Sequence, residues 1–284
     1  PEFIKVANKI NFKVTLPCLL VQDLMNTDFR QEFDGKYILY CMIVTSLCFF
    51  ATWALAKAFL KDKTLVPELV QGSFRGSAAV LGTAFVLNMY GDTGMVPLMI
   101  IGAVPLYNIY SVIVLTIESP RREEIEGSPV KNTIKGIATN PIIIGIVVGL
   151  LLSIFRVDFP LMIDNTIGNI AKMATPLALL AIGGSFEFSN ALKKMGPAVT
   201  GSAIKLVIMA AVFLPVAVWL GYRDAKLMAL VIMLGSPTTP SCYIMAKNMK
   251  CDGTLTSSMV VITTMMSAFT ITLIVFVLRT LGYL

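Results

Sequence analysis

The chain has 284 residues, of which 56% are hydrophobic and only 14% charged, with a net charge of +6. Soluble domains carry about a quarter charged residues, so this composition excludes an ordinary soluble fold. The positive excess lies in short loops between apolar stretches, with no nucleic-acid motif and no basic tail, which excludes a nucleic-acid partner. There is no histidine, and Cys18, Cys41, Cys48, Cys242 and Cys251 form no C-x-x-C. A zinc site is thereby excluded, no cofactor or metal is implied, and the cysteines read as small residues within helices.

In chain order, apolar stretches of roughly 17–25 residues recur, the length of a bilayer-crossing helix. Because lipid offers no partner to unpaired backbone groups, they predict an all-α membrane protein. Nine spans are expected. Span A covers Phe3 to Met25, B Tyr37 to Leu60, C Val66 to Met89 and D Met95 to Ile117. Span E covers Asn140 to Phe155, F Leu161 to Gly184, G Pro197 to Leu220, H Ala225 to Met249 and I Ser257 to Leu278. Between D and E, residues 118–139 read as a solvated cytoplasmic connector rich in Arg121, Arg122, Glu123, Glu124 and Glu126. No charged segment followed by a short apolar core marks a signal peptide at Pro1.

The chain repeats itself. Lys13, Pro17 and Leu20 in A stand 159 positions before Lys172, Pro176 and Leu179 in F; Asn88, Met89 and Asp92 stand 160 before Asn248, Met249 and Asp252. The shared offset pairs A with F, B with G, C with H and D with I, leaving E alone. Its counterpart would precede Pro1. The expectation is two five-helix repeats, with nine of ten helices present and the first missing: residues 1–117 and 140–284 flank the connector. An odd helix number per repeat inverts the second copy, as in many secondary transporters. Lys57, Lys61, Lys63, Arg121, Arg122, Lys131, Lys135, Lys193, Lys194, Lys247 and Lys250 fall on one side. Only Arg30, Lys36, Arg156, Arg223, Lys226 and Arg279 fall on the other, so the first side is cytoplasmic.

Chemistry concentrates in spans C and H. Span C carries Gln71-Gly72-Ser73-Phe74-Arg75-Gly76-Ser77, and H carries Gly235-Ser236-Pro237-Thr238-Thr239-Pro240-Ser241 at the corresponding place. Glycine lets the chain leave the helical region cheaply, and proline removes a backbone donor. Both spans should therefore unwind near mid-depth, exposing helix ends that bind ions; ordinary packed kinks are the alternative. A cation at the depth of Arg75 is costly and should face a cavity, where its fork suits a carboxylate, or else cap loose carbonyls. Asn108 in D either lines the site or bonds a neighbouring helix. Lys13 and Lys172 either line the path or stand in for a bound cation, or else bond carbonyls at their proline kinks. Lys205 in G receives no role. All seventeen acids fall in loops or near span ends, against an acidic proton relay. No P-loop and no nucleophile–base pair is present, against an ATP motor and against an enzyme.

These segments, in this order, resemble the auxin efflux carrier family, in its bacterial branch of organic-acid permeases of malate or malonate type. The resemblance rests on Gln71 to Arg75 with Leu81-Gly82, Pro105-Leu106-Tyr107-Asn108, and Asn140-Pro141. It continues through Pro176 to Leu180 with Ile182-Gly183, and Ser236 to Pro240 with Met245-Ala246. It covers nearly the whole chain. It implies that broken helices C and H cross at the midplane and form the substrate site. A, E, F and the missing helix would be a scaffold and homodimer interface, and the other six helices an elevator-like moving unit. One departure is Ser77, where the family commonly has Asn.

The expected function is a secondary transporter moving a small organic acid across the cell membrane. Arg75, Gly76, Ser77, Asn108, Pro237, Thr238, Thr239, Pro240 and Ser241 are its candidate site residues, with Arg75 and the helix ends holding a carboxylate. A sodium-coupled symporter of bile-acid carrier type and a non-transporting membrane receptor are the alternatives.

Overall fold

The computed structural model describes residues 2–25, 34–118, 136–157 and 159–284, and among them there is no strand. The first helix, α1 (Glu2–Ile10), passes through a π-helical turn (Asn11–Thr15) into α2 (Leu16–Met25). Pro17 explains the turn: it has no N–H to give to the preceding turn, and the ladder slips by one residue there. Its counterpart in sequence, α8 (Leu161–Lys172), meets α9 (Ala174–Ser185) at Met173, three residues before Pro176. Asn11 ties the two joints: its Nδ2 donates to the Ala174 carbonyl at 2.8 Å, while Thr15 Oγ1 donates to its Oδ1 at 2.8 Å. Lys13 and Lys172 have exposed side chains instead. The Ala174 carbonyl at this joint is thus bonded by an amide that the sequence does not single out.

The other long elements are α3 (Gly35–Phe59), α6 (Val96–Ile117), α7 (Pro141–Phe155) and α15 (Thr254–Thr280). Asp34 caps α3 by accepting from Tyr37 N at 3.1 Å, and Asn140 caps α7 by accepting from Ile142 N at 2.9 Å. Span G begins as α11 (Met195–Ala203), after the short α10 (Phe188–Lys193), and runs through a second π-helical turn (Ile204–Ile208) into α12 (Met209–Trp219). Spans C and H are each broken: α4 (Val66–Phe74) from α5 (Ala78–Tyr90), and α13 (Asp224–Gly235) from α14 (Ser241–Asn248). All nine expected spans are present as helical stretches within a few residues. Of these, B, D, F, G and I are long and apolar enough to cross a membrane as continuous segments. The connector expected over 118–139 lies mostly outside the described residues.

Two sets of helices emerge from the packing. In one, α2 lies between α7 and α8, and α1 runs along α9. Gly145 and Gly149 of α7 make this close: a Cβ on either would stand 3.0 Å from the Cα of Pro17 or Val21. Small residues one turn apart admit the neighbouring backbone in this way. In the other set, α3 packs on α4 and α6, while α11 packs on α15 and α12 on α13. Helix α13 is at its centre, with Leu227 through Ile232 fully buried. A helix apolar on every side belongs there.

The outer surface is apolar rather than charged. Trp219, Phe269, Leu273 and Phe276 are all more than 60% exposed. Exposed apolar area on that scale is foreign to a soluble monomer and fits a surface solvated by lipid.

Candidate functional site

The two interruptions lie against each other. Ser77 N donates to the Pro237 carbonyl at 2.9 Å, and Thr238 Oγ1 donates to the Gly72 carbonyl at 2.7 Å. Gln71 Nε2 donates to the Cys242 carbonyl at 2.7 Å. Each broken helix therefore supplies partners for backbone groups that the other break has freed, which is what an unwound segment inside a bilayer requires. Thr238 N is completed by Thr263 Oγ1 of α15 at 3.0 Å.

Arg75 occupies the extended step between α4 and α5 and is only 6% exposed. Its Nη2 donates to Ser241 Oγ at 2.7 Å, and its Nη1 lies 2.7 Å from Met245 Sδ. Phe74 anchors the step from behind: its ring lies 5.2 Å from Phe49 and 5.9 Å from Tyr107. Among the described residues no carboxylate pairs with the guanidinium. A buried, permanently charged fork held by a hydroxyl and a thioether keeps donor capacity for an anion.

A cavity of about 70 Å³ opens beside it. Of the candidate site residues, Arg75, Gly76, Ser77, Asn108, Thr239 and Ser241 line it. Pro237, Thr238 and Pro240 do not. Pro237 and Thr238 hold the two breaks together, and Pro240 precedes the first residue of α14. Asn108 turns its Nδ2 to the Val104 carbonyl at 2.9 Å and leaves a buried Oδ1 without a partner. Gln71 Oε1, Ser73 Oγ and Ser236 Oγ are likewise buried and unpartnered. Such groups are rare in a settled interior; three of these four stand at the two breaks, and Asn108 lines the cavity from α6.

Two charged residues join the site that the sequence reading left aside. Asp23, an acid near a span end in the sequence, lines the cavity from α2. Lys205, given no role, is fully buried, and its Nζ donates to the carbonyls of Met233 and Leu234 at 3.1 Å each. The signal for Lys205 was present: an ionisable residue inside an apolar span marks function by default. A third, Glu68, is 1% exposed and accepts from Gly253 N and Thr256 N at the start of α15.

A helical bundle with an apolar exterior and two broken helices meeting around a buried arginine defines an integral membrane transport protein rather than an enzyme. Residues 1–275 match the family described as "Membrane transport protein", and the chain belongs to that family, the auxin efflux carriers. Among curated proteins, a "Putative malonate transporter" of Rhizobium meliloti (strain 1021) is 22% identical over 277 residues, covering 94% of this chain and 84% of that protein.

Proposed function

We propose that the chain is a secondary carrier of a small organic anion, with dicarboxylates of the malonate kind as its substrate class. One observation carries the reading: Arg75, a buried cation with neutral partners, lines a cavity between the two broken helices. A carboxylate entering there would meet the guanidinium fork, the hydroxyls of Ser77, Thr239 and Ser241, and helix ends freed by the breaks. The name of the Rhizobium meliloti relative points to the same chemical class.

In this reading the helices divide into a scaffold of α1–α2, α7 and α8–α9, and a moving unit of α3–α6 and α11–α15. The scaffold would also carry a homodimer contact. The division is supported by the two packing sets and by the cavity wall, which combines Leu16, Leu20, Asp23 and Ile142 with the broken helices. Sliding one set past the other would open the cavity alternately to each side. The two sets of pairings, α3 with α4 and α6 and α11–α12 with α13 and α15, favour an inverted repeat. The lysine-rich loops favour the cell membrane with those loops in the cytoplasm.

The test is uptake of labelled malonate, malate and an aromatic acid into proteoliposomes, with wild type beside Arg75→Gln. Losing a charge-assisted hydrogen bond costs about 1.5–3 kcal/mol, so saturable uptake should fall roughly 10- to 150-fold. No uptake of any acid by folded wild type would end the anion-carrier reading and favour a receptor. Unchanged uptake by the variant would remove Arg75 from the site.

A further inference from the structure

The ammonium of Lys205 sits where the two broken helices meet, yet it does not line the cavity. Its Nζ donates to Met233 and Leu234 carbonyls, 3.1 Å away, in the last turn of α13 before that helix stops at Gly235. Carbonyls there have no further turn to accept from, and they form the negative end of the helix dipole. Tyr107 Oη gives a second hydrogen bond to the Met233 carbonyl at 3.0 Å. The opposite break closes over the same point. A Cβ on Gly76 would stand 2.9 Å from Lys205 Nζ and 2.3 Å from Ser236 Oγ, so any side chain there would push on both groups. Ser236 Oγ is itself buried without a partner.

Two carbonyls at a half-helix C-terminus, with a free hydroxyl nearby on the unwound segment, are a hard-oxygen cluster. In carriers with broken helices such a cluster is what coordinates a coupling cation. No carboxylate pairs with Lys205 among the described residues, so the cluster itself is its counter-charge. The chain reaches it from the π-helical turn Ile204–Ile208, whose extra residue locally re-aims the side chains of span G.

We infer that Lys205 is a built-in cation: its ammonium fills the place of a coupling metal ion and holds the broken α13–α14 helix in its transport-competent shape. It is a positioning residue, acting on the Arg75 site through the crossing at Gly76 and Ser236. The inference rests on the anion-carrier reading, and it gives that reading a driving mode in which no sodium is consumed. It also makes a reversible prediction. Cutting the side chain back should expose the oxygen cluster to an external cation.

The experiment uses the full chain and three variants, Lys205→Ala, Lys205→Ser and Lys205→Met. Malonate uptake and thermal unfolding in detergent are measured in sodium, lithium, ethylammonium and N-methyl-D-glucamine chlorides. Wild type should be indifferent to the cation within twofold. Ala and Ser variants should lose at least tenfold in N-methyl-D-glucamine and recover at least threefold in sodium, lithium or ethylammonium. Their unfolding temperature should rise with the same cations, while that of wild type does not. Lys205→Met fills the space without charge, so it should stay low in every salt.

Full activity of Lys205→Met, or of the Ala variant in N-methyl-D-glucamine, would overturn the inference. So would variants that are low in all salts with no cation-dependent unfolding, or a wild type that itself needs sodium. If the Ala variant folds only when one of the small cations is present during purification, that supports the inference; failure to fold in any salt counts against it. Should wild type carry no acid at all, the anion-carrier reading fails, and the unfolding measurements still decide the role of Lys205.

Discussion

Glu68 gives the sharpest prediction about what holds the second helix set together. It stands in the first turn of α4, is 1% exposed, and reaches across to the start of α15. There it accepts from Gly253 N, Thr256 N and Thr256 Oγ1, each at 2.9 Å. One carboxylate thus serves the free N–H groups of a 27-residue helix and sits at the positive end of its dipole. Glu68→Gln keeps the shape and removes the charge, leaving one acceptor oxygen where two are used. A buried N–H left unpaired costs about 1–3 kcal/mol. Losing the negative charge at the helix start adds up to about 2 kcal/mol in a buried setting. The sum, about 1–5 kcal/mol, should lower the unfolding temperature in detergent by on the order of 10 °C. Glu68→Asp keeps the charge but falls one methylene short, and should lie between. An unfolding temperature for Glu68→Gln within about 2 °C of wild type would refute the claim that this carboxylate latches α4 to α15.

Three further outcomes follow from the same geometry. Gly76→Ala would drive a Cβ to 2.3 Å from Ser236 Oγ and 2.9 Å from Lys205 Nζ; it should cost about 1–3 kcal/mol and abolish uptake, checked by unfolding and flux on the same sample. Gly149→Val in α7 would press on the backbone of Val21 and Leu20, at 3.0 and 3.1 Å from the first added carbon; it should destabilise by a similar about 1–3 kcal/mol, read by detergent unfolding. At the membrane edge, the hydrogen bond from the Lys226 side chain holds Asp34 below the usual carboxylate range. An acid whose folded pKa is depressed stabilises the fold above its unfolded pKa, about 3.9, and loses that contribution as pH falls through the folded value. Asp34→Asn keeps the helix cap but not the ion pair, so it should cost less than about 1 kcal/mol near pH 7. The difference from wild type should close as the solution is acidified through Asp34's lowered folded pKa, followed by unfolding across pH.

What the sequence disclosed and what it hid divide along the range of the interactions. Helix interruptions at Gly72–Gly76 and Pro237–Pro240 are written locally, because glycine and proline act on their own backbone. Arg75 was legible for the opposite reason: a cation in an apolar span is too costly to be incidental. Lys205 met the same criterion and was passed over because no break-forming residue stands beside it. Its meaning comes from carbonyls 28 and 29 residues away. Asn11 and Ala174, 163 positions apart, left even less trace. Lys13 and Lys172 stood out only because they repeat, and the repeat marks the joint rather than the group that serves it. Thr238 and Pro237 are candidate substrate contacts from the sequence; in the fold they bond the partner break and do not line the cavity.

Asp23 raises a question of charge balance. It lines the cavity from α2, as Arg75 does from the broken helix, so a carboxylate and a guanidinium share one wall. The charge of an ionised Asp23 must also be felt by an incoming anion. Two unit charges about 10 Å apart interact by about 1.7 kcal/mol at an effective dielectric near 20. Removing the repulsion in Asp23→Asn should therefore lower the KM for a monocarboxylate by about tenfold. A dicarboxylate should gain more than a monocarboxylate, because the second charge doubles the term. Reorganising the site would move both substrates equally, so the comparison between them isolates the charge. An Asp23→Asn variant whose KM values for mono- and dicarboxylate shift together would place Asp23 among the groups that shape the wall, outside the electrostatics of binding. A selective gain for the dianion would make the α2 carboxylate the counterweight that lets Arg75 release its substrate, since a site with an unopposed cation would hold an anion too tightly to turn over.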